Sequence, residues 1–173
     1  AKNPDSVVIV DEAYVDFGTE SALSLLKDYK NLLVVRTFSK SICLAGMRIG
    51  YTVGNPELIK ALTLVKNSFN HFPVDVICKT AAIAALKSYE YYEKITTEIV
   101  KTREWFSQEL SKKGYSVIPS KTNFIFVNHP TKKGSEIYED VKKTGILIRH
   151  FATPGIENFV RITIGTREQM EAL

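Results

Sequence analysis

Hydrophobic and polar positions along this chain fall into blocks whose period changes in a definite order. Val7-Val8-Ile9-Val10 is a short unbroken apolar run, the pattern of a strand buried on both faces. Residues 32–35 repeat it, and residues 49–53 form a third strand closed by Gly54-Asn55-Pro56. Between the first two, residues 21–27 are amphipathic enough for a short helix. The period then lengthens. Residues 56–65 put Leu58, Ile59, Leu62 and Val65 on one helical face, with Asn55 as the cap and Pro56 at the first helical position. The stretch 69–72 interrupts this pattern, and residues 73–87 resume as an alanine-rich helix. Residues 88–113 read as a long amphipathic helix ended by Gly114, with Tyr92, Ile95, Ile99, Trp105, Phe106 and Leu110 as its apolar stripe.

Past Gly114 the blocks shorten. Residues 115–118, 124–127, 146–148 and 160–164 read as strands, residues 134–143 as a helix, and Thr166 as the cap of a final helix. The order predicts an α/β chain of two unlike parts. Residues 1–87 would be part of a larger domain built on buried strands. Residues 88–173 would be a linking helix followed by a small α+β domain with more exposed strands.

Bulk properties narrow the classes. Of 173 residues, 45% are hydrophobic and 24% charged, enough for a sizeable core. The net charge of +4 is spread over predicted helix faces (Lys94, Lys101, Lys112, Lys113) rather than clustered with aromatics, so nucleic acid is not expected as a partner. No apolar run approaches the ~20 residues of a membrane-spanning helix, so no membrane partner is expected either. Cys43 and Cys78 lack metal-binding or redox spacing, and the default expectation is buried, reduced thiols in a cytoplasmic protein. The chain opens without methionine and enters a strand by Val7, which raises the expectation that it is part of a longer polypeptide.

Chemistry concentrates after the first two strands. Asp11 closes the first, at the strand end where α/β sheets place ligands, with Tyr14 three residues on. Glu12 and Asp16 beside them read as solvated or structural acids. Thr37-Phe38-Ser39-Lys40 closes the second strand, and Leu44-Ala45-Gly46-Met47-Arg48 follows. A lysine among hydroxyls suits a nucleophilic amine. Thr37, Ser39 and Arg48 suit the oxygens of a phosphate, and Gly46 would permit close backbone approach. A lysine holding an aldehyde cofactor, with an acid for its ring nitrogen, is the layout pyridoxal phosphate requires, with no metal. Arg149 and Arg161, at predicted strand ends in the second part, suit recognition of an anion.

These motifs, together with Pro119-Ser120-Lys121-Thr122-Asn123-Phe124 and Arg161-Ile162-Thr163-Ile164-Gly165-Thr166, resemble the fold-type I pyridoxal phosphate aminotransferases, and within them the histidinol-phosphate aminotransferases. The likeness runs along nearly the whole chain. It implies a large cofactor domain with a mostly parallel sheet, a small C-terminal domain, a cytoplasmic homodimer, and amino transfer between histidinol phosphate and 2-oxoglutarate. By the same resemblance Lys40 is the Schiff-base lysine, Asp11 the pyridinium partner and Tyr14 the ring-oxygen donor. Ser39, Arg48 and, more weakly, Thr37 hold the phosphate; Arg161 clamps the anionic end of the substrate, helped by Arg149. Ser41-Ile42-Cys43 departs from the family's usual stretch at this point. The family's glycine-containing phosphate loop, stacking aromatic and asparagine beside the tyrosine come from a preceding half. Other fold-type I activities stay open, a phosphothreonine decarboxylase or an aromatic aminotransferase among them. So does an inactive aminotransferase-like module, although intact Asp11, Lys40 and Arg48 argue against it.

Overall fold

Residues 3–173 are described by a computed structural model. The chain divides into two compact units, Ala1–Glu93 and Lys94–Leu173. The boundary falls inside the long helix.

In the first unit, β1 (Val8–Asp11), β2 (Leu32–Thr37) and β3 (Gly50–Gly54) form one sheet in that order. β1 runs parallel to β2 with Asp11 opposite Val35, and β3 runs antiparallel to β2 with Gly50 opposite Thr37. The central strand is the buried one: Leu32, Leu33 and Val34 are all at most 5% exposed. β1 differs from its predicted burial, since Ile9 is 63% exposed. It is an edge strand, and only Val10 among its apolar residues is partly buried. Residues 21–27 form a 3-10 turn, Ala22–Leu25, rather than an α-helix. Ser21 caps this turn by accepting from the Leu23 amide, and four residues are too few to propagate an α-helix.

α1 (Pro56–Phe69) starts as predicted, with the Asn55 side chain accepting from the Glu57 amide. It buries none of its residues, and Leu62, Leu64, Val65 and Phe69 all stand exposed. α2 (Val76–Lys87) begins three residues later than its pattern indicated, because Asp75 is the capping residue and accepts from the Cys78 amide at 2.7 Å. Ala85 of α2 packs with Phe38 and Ile42 from the loop after β2, and Tyr92 leans on that cluster.

α3 (Tyr89–Lys112) runs from the first unit into the second and ends at Gly114, whose φ of 87° only glycine adopts freely. In the second unit, β4 (Ser116–Ile118), β5 (Phe124–Asn128), β7 (Phe159–Thr163) and β6 (Arg149–His150) form an all-antiparallel sheet in that spatial order. Alternate residues Ile125, Val127, Val160 and Ile162 face inward. They pack with Phe106 and Leu110 of α3, Ile137 of α4 (Gly134–Lys143) and Met170 of α5 (Arg167–Ala172). Thr166 caps α5 as expected, accepting from the Gln169 amide. The predicted strand at 146–148 is displaced to Arg149–His150. Gly145, at φ 86°, turns the chain there, and pairing with β7 begins only at Arg149. The contrast in exposure is the reverse of the expected one: the sheet with open strands belongs to the first unit.

No helix among the described residues is long and apolar enough to cross a membrane. Both cysteines are free thiols, but neither is buried. Cys43 is exposed at a turn with φ 58°, and Cys78 is half-buried, its Sγ 3.2 Å from the Met47 carbonyl.

Candidate active site

Parallel pairing brings the ends of β1 and β2 side by side, and with them the loops that carry the candidate residues. Asp11 ends β1, exposed, and its Oδ1 accepts the Ala13 amide at 3.0 Å. That bond folds the chain into a tight turn and brings Tyr14 round. Asp11 and Tyr14 line one open cleft of about 300 Å³ with Val10, Thr19 and Ala22.

Lys40 lies beyond β2, half-buried, with its Nζ 5.3 Å from the centre of the Tyr14 ring. Among the described residues that amine has no carboxylate partner. The loop around it is closely tied. The Thr37 hydroxyl accepts from the Ser39 amide at 3.0 Å, the Cys43 amide donates to the Lys40 carbonyl at 3.0 Å, and the Leu44 amide donates to the Phe38 carbonyl at 2.9 Å. Cys43 at φ 58° and Arg48 at φ 53° bracket the turn in the left-handed region, an arrangement of non-glycine residues that concentrates at functional sites. Arg48 is exposed, held by one bond from its Nη1 to the Ala45 carbonyl at 3.0 Å, which leaves most of its donors outward. Gly46 is not required by this chain's own packing, since a Cβ there would meet nothing within 4 Å among the described residues. The first unit thus brings together Asp11 with Tyr14, and Tyr14 with Lys40.

Glu12 proves structural. It is 6% exposed, and its carboxylate takes the Ser21 hydroxyl, the Ala22 amide at 2.6 Å, and Arg36 at 2.9 Å. Burial of the Arg36 guanidinium works against its charge, but the bonds to Glu12 and Tyr51 outweigh this and raise its pKa. This pair escaped the sequence reading of the site. The clue was Arg36 itself: a cation in an otherwise apolar strand needs a partner. Asp16 also proves structural, accepting a hydrogen bond from the Ser41 hydroxyl. Its charge contributes to Tyr89, whose phenol is pushed up first by burial and then by Asp16 and Glu93.

In the second unit Arg149 and Arg161 stand directly opposite each other across β6 and β7. The Arg161 guanidinium lies 5.2 Å from the Phe124 ring centre and 5.8 Å from that of Phe151; Arg149 lies 5.4 Å from the same Phe151 ring. Among the described residues neither has a carboxylate partner. Like charges directly opposite on a sheet are destabilising, so this pair suits an anion bound between or beside them. The aromatic setting was not foreseen, although Phe124 and Phe126 alternate with the buried Ile125 and Val127 in a way that puts them on the arginine face.

Comparison with known proteins extends these observations. The chain is 50% identical over 169 residues, 98% of its length, to the histidinol-phosphate aminotransferase of Clostridium botulinum. Its fold matches that of the Sinorhizobium meliloti histidinol-phosphate aminotransferase in complex with pyridoxal-5'-phosphate, with a TM-score of 0.79 at 31% identity over 98% of this chain and 47% of that one. It also matches L-threonine-O-3-phosphate decarboxylase from Porphyromonas gingivalis, with a TM-score of 0.82 at 26% identity over 99% of this chain and 54% of that one. The chain spans about half the length of the curated relatives it matches. Since the family model for aminotransferase class I and II covers residues 1–173 without remainder, the lysine, acid and arginines above sit in a chain that belongs to that family.

Proposed function

We propose that the intact protein uses pyridoxal 5'-phosphate to transfer an amino group between histidinol phosphate and 2-oxoglutarate, as a step of histidine biosynthesis. The observation that carries this reading is the 50% identity over almost the whole chain to an enzyme of that name. In this reading residues 1–87 are the C-terminal part of a large cofactor domain, and residues 88–173 are the linking helix and small domain. The protein is a cytoplasmic homodimer. The exposed apolar side chains of α1 and of Phe72, Val76 and Ile77 support a surface that is covered in the intact assembly.

The donor set of the first unit fits the cofactor: an amine with no carboxylate partner among the described residues, a carboxylate, a phenol, two hydroxyls and an outward guanidinium. When bound, the pyridoxal ring withdraws electrons from the substrate carbon that loses its proton. Asp11 would place a negative charge against the ring nitrogen, which favours its protonated form. Tyr14 would donate its phenolic hydrogen to the ring oxygen. Ser39 and Arg48, with Thr37, hold the phosphate. Lys40 would hold the cofactor's aldehyde, and its Nζ would be the base that moves the proton at the substrate's amino-bearing carbon. Arg161, with Arg149, takes the phosphate of one substrate and the carboxylate of the other, since a guanidinium fork accepts both.

The test is glutamate formation from histidinol phosphate and 2-oxoglutarate by the intact protein and by Lys40→Ala. Turnover by the parent and none by the variant is expected; an undiminished variant overturns the role of Lys40. The match to a phosphothreonine decarboxylase favours one second reading. Carbon dioxide release from phosphothreonine, without glutamate formation from histidinol phosphate, would establish it instead.

A further inference from the structure

The Tyr14 ring and the Lys40 amine face each other from two different loops, and something must hold those loops in register. The Lys40 amine, 5.3 Å from the centre of the Tyr14 ring, makes a contact too loose to clasp the two loops by itself. At the near end, the Glu12 amide donates to the Val35 carbonyl at 2.8 Å and the Glu12 carboxylate holds Arg36, so residues 11 and 12 are fixed to β2 whatever happens further on. At the far end, Asp16 Oδ2 accepts from the Ser41 hydroxyl. Ser41 is 5% exposed and directly follows Lys40; Asp16 is half-buried and lies two residues past Tyr14. The two acids therefore straddle Tyr14, each bonded to a residue of the strand or loop that leads into or out of Lys40.

We infer that Asp16 and Ser41 are positioning residues, forming a latch that holds the Tyr14 loop against the Lys40 loop and so sets the distance between the phenol and the amine. The inference rests on the assignment of Tyr14 and Lys40 to the cofactor, but the latch itself does not depend on it. Small local packing reinforces the geometry. Asp16 lines a small cavity with Arg36, Thr37, Phe38 and Tyr89. Phe17, next in the chain, is 1% exposed, and its amide donates to the Tyr14 carbonyl at 3.1 Å, which anchors the backbone of the turn.

The experiment is hydrogen exchange on the intact protein, followed by pyridoxal phosphate addition, borohydride reduction and mapping of the labelled lysine. Asp16→Ala and Ser41→Ala should each speed exchange of amides 13–17 and 40–44 by about tenfold, the effect of losing one charge-assisted hydrogen bond from a local opening. Exchange in β1 and β2 should not change. The double variant should be no faster than either single one. Asp16→Asn, whose side-chain carbonyl still accepts from Ser41, should restore most of the protection. In the labelling arm, Asp16→Ala should slow modification of Lys40 several-fold and Asp16→Asn should not. Unchanged exchange in Asp16→Ala, or additive effects in the double variant, overturns the latch. Changed exchange in both loops with labelling of Lys40 at the parent rate also overturns its positioning role. Failure of the unmutated protein to label at Lys40 overturns the cofactor assignment instead, while the exchange arm still decides whether the latch exists.

Discussion

The two units use the same ingredients to opposite ends. In the second, a four-stranded sheet closes one face against α3, α4 and α5, and Ile125, Val127 and Val160 are completely buried. In the first, only β2 is buried as a strand, β1 lies open, and α1 buries nothing although its apolar side chains lie at helical spacing. The chain spans about half the length of the curated relatives it matches. The second unit closes a core over its whole sheet, whereas the first buries β2 and the small cluster of Phe38, Ile42 and Ala85 but leaves α1 and much of β1 exposed. What the first unit does own is a polar scaffold. Glu12, Ser21 and Arg36 fix the turn that carries Asp11 and Tyr14.

The sharpest test of this contrast is to remove core from the second unit. Ile125→Ala should destabilise the second unit by about 2–5 kcal/mol, the range for truncating a fully buried aliphatic side chain. Trp105, the single tryptophan, packs against that core, so its fluorescence during urea unfolding reports the loss. A change below about 1 kcal/mol would mean that this core is not closed. Next comes the scaffold. Glu12→Ala strands a partly buried Arg36 and should cost about 2–3 kcal/mol, somewhat less than a fully buried pair because Arg36 keeps 19% of its side-chain exposure. Hydrogen exchange of the β2 amides should rise accordingly. Equal exchange in parent and variant would show that the ion pair does not hold the first unit together.

Leu64→Ser probes the open face. At 70% exposure the change should stay within about 0.5 kcal/mol, yet it should reduce self-association measured by sedimentation. A large loss of stability would show that α1 is covered within the chain itself. The smallest effect concerns the α2 cap. The Cys78 amide holds the Asp75 carboxyl below its ordinary value of 3.8. A depressed carboxylate stabilises the fold fully above the unfolded value and loses that contribution as pH falls through the folded one. The difference in melting temperature between the parent and Asp75→Ala should therefore be constant near neutral pH and narrow below about pH 4. A pH-independent difference would assign the cap no electrostatic role.

Much of the local structure was legible because caps and periods are local signals. Asn55-Pro56, Gly114 and Thr166 mark helix ends through their own backbone chemistry, and the structure places those ends accordingly. The burial of β1 was not legible. An apolar run reports that a strand wants covering on both faces, and cannot report whether the covering segment lies in the chain at hand. The strand at 146–148 failed for a related reason: apolar residues after a glycine turn do not say where pairing with β7 begins. At the site, Asp11, Tyr14 and Lys40 stood out by position after strands. Glu12 with Arg36, and Asp16 with Ser41, are pairs separated by 24 and 25 residues, and only the parallel register of β1 and β2 brings them together. Phe124 and Phe151 flank Arg161 through a strand register that no single segment encodes.

The central claim is that Lys40 is the amine that takes the cofactor. Incubating the intact protein with pyridoxal phosphate, reducing with borohydride and sequencing the modified peptide tests it directly. The label should fall on Lys40, and Lys40→Ala should abolish it. A label on other lysines with Lys40 untouched, or equal labelling of the Lys40→Ala variant, would contradict the account.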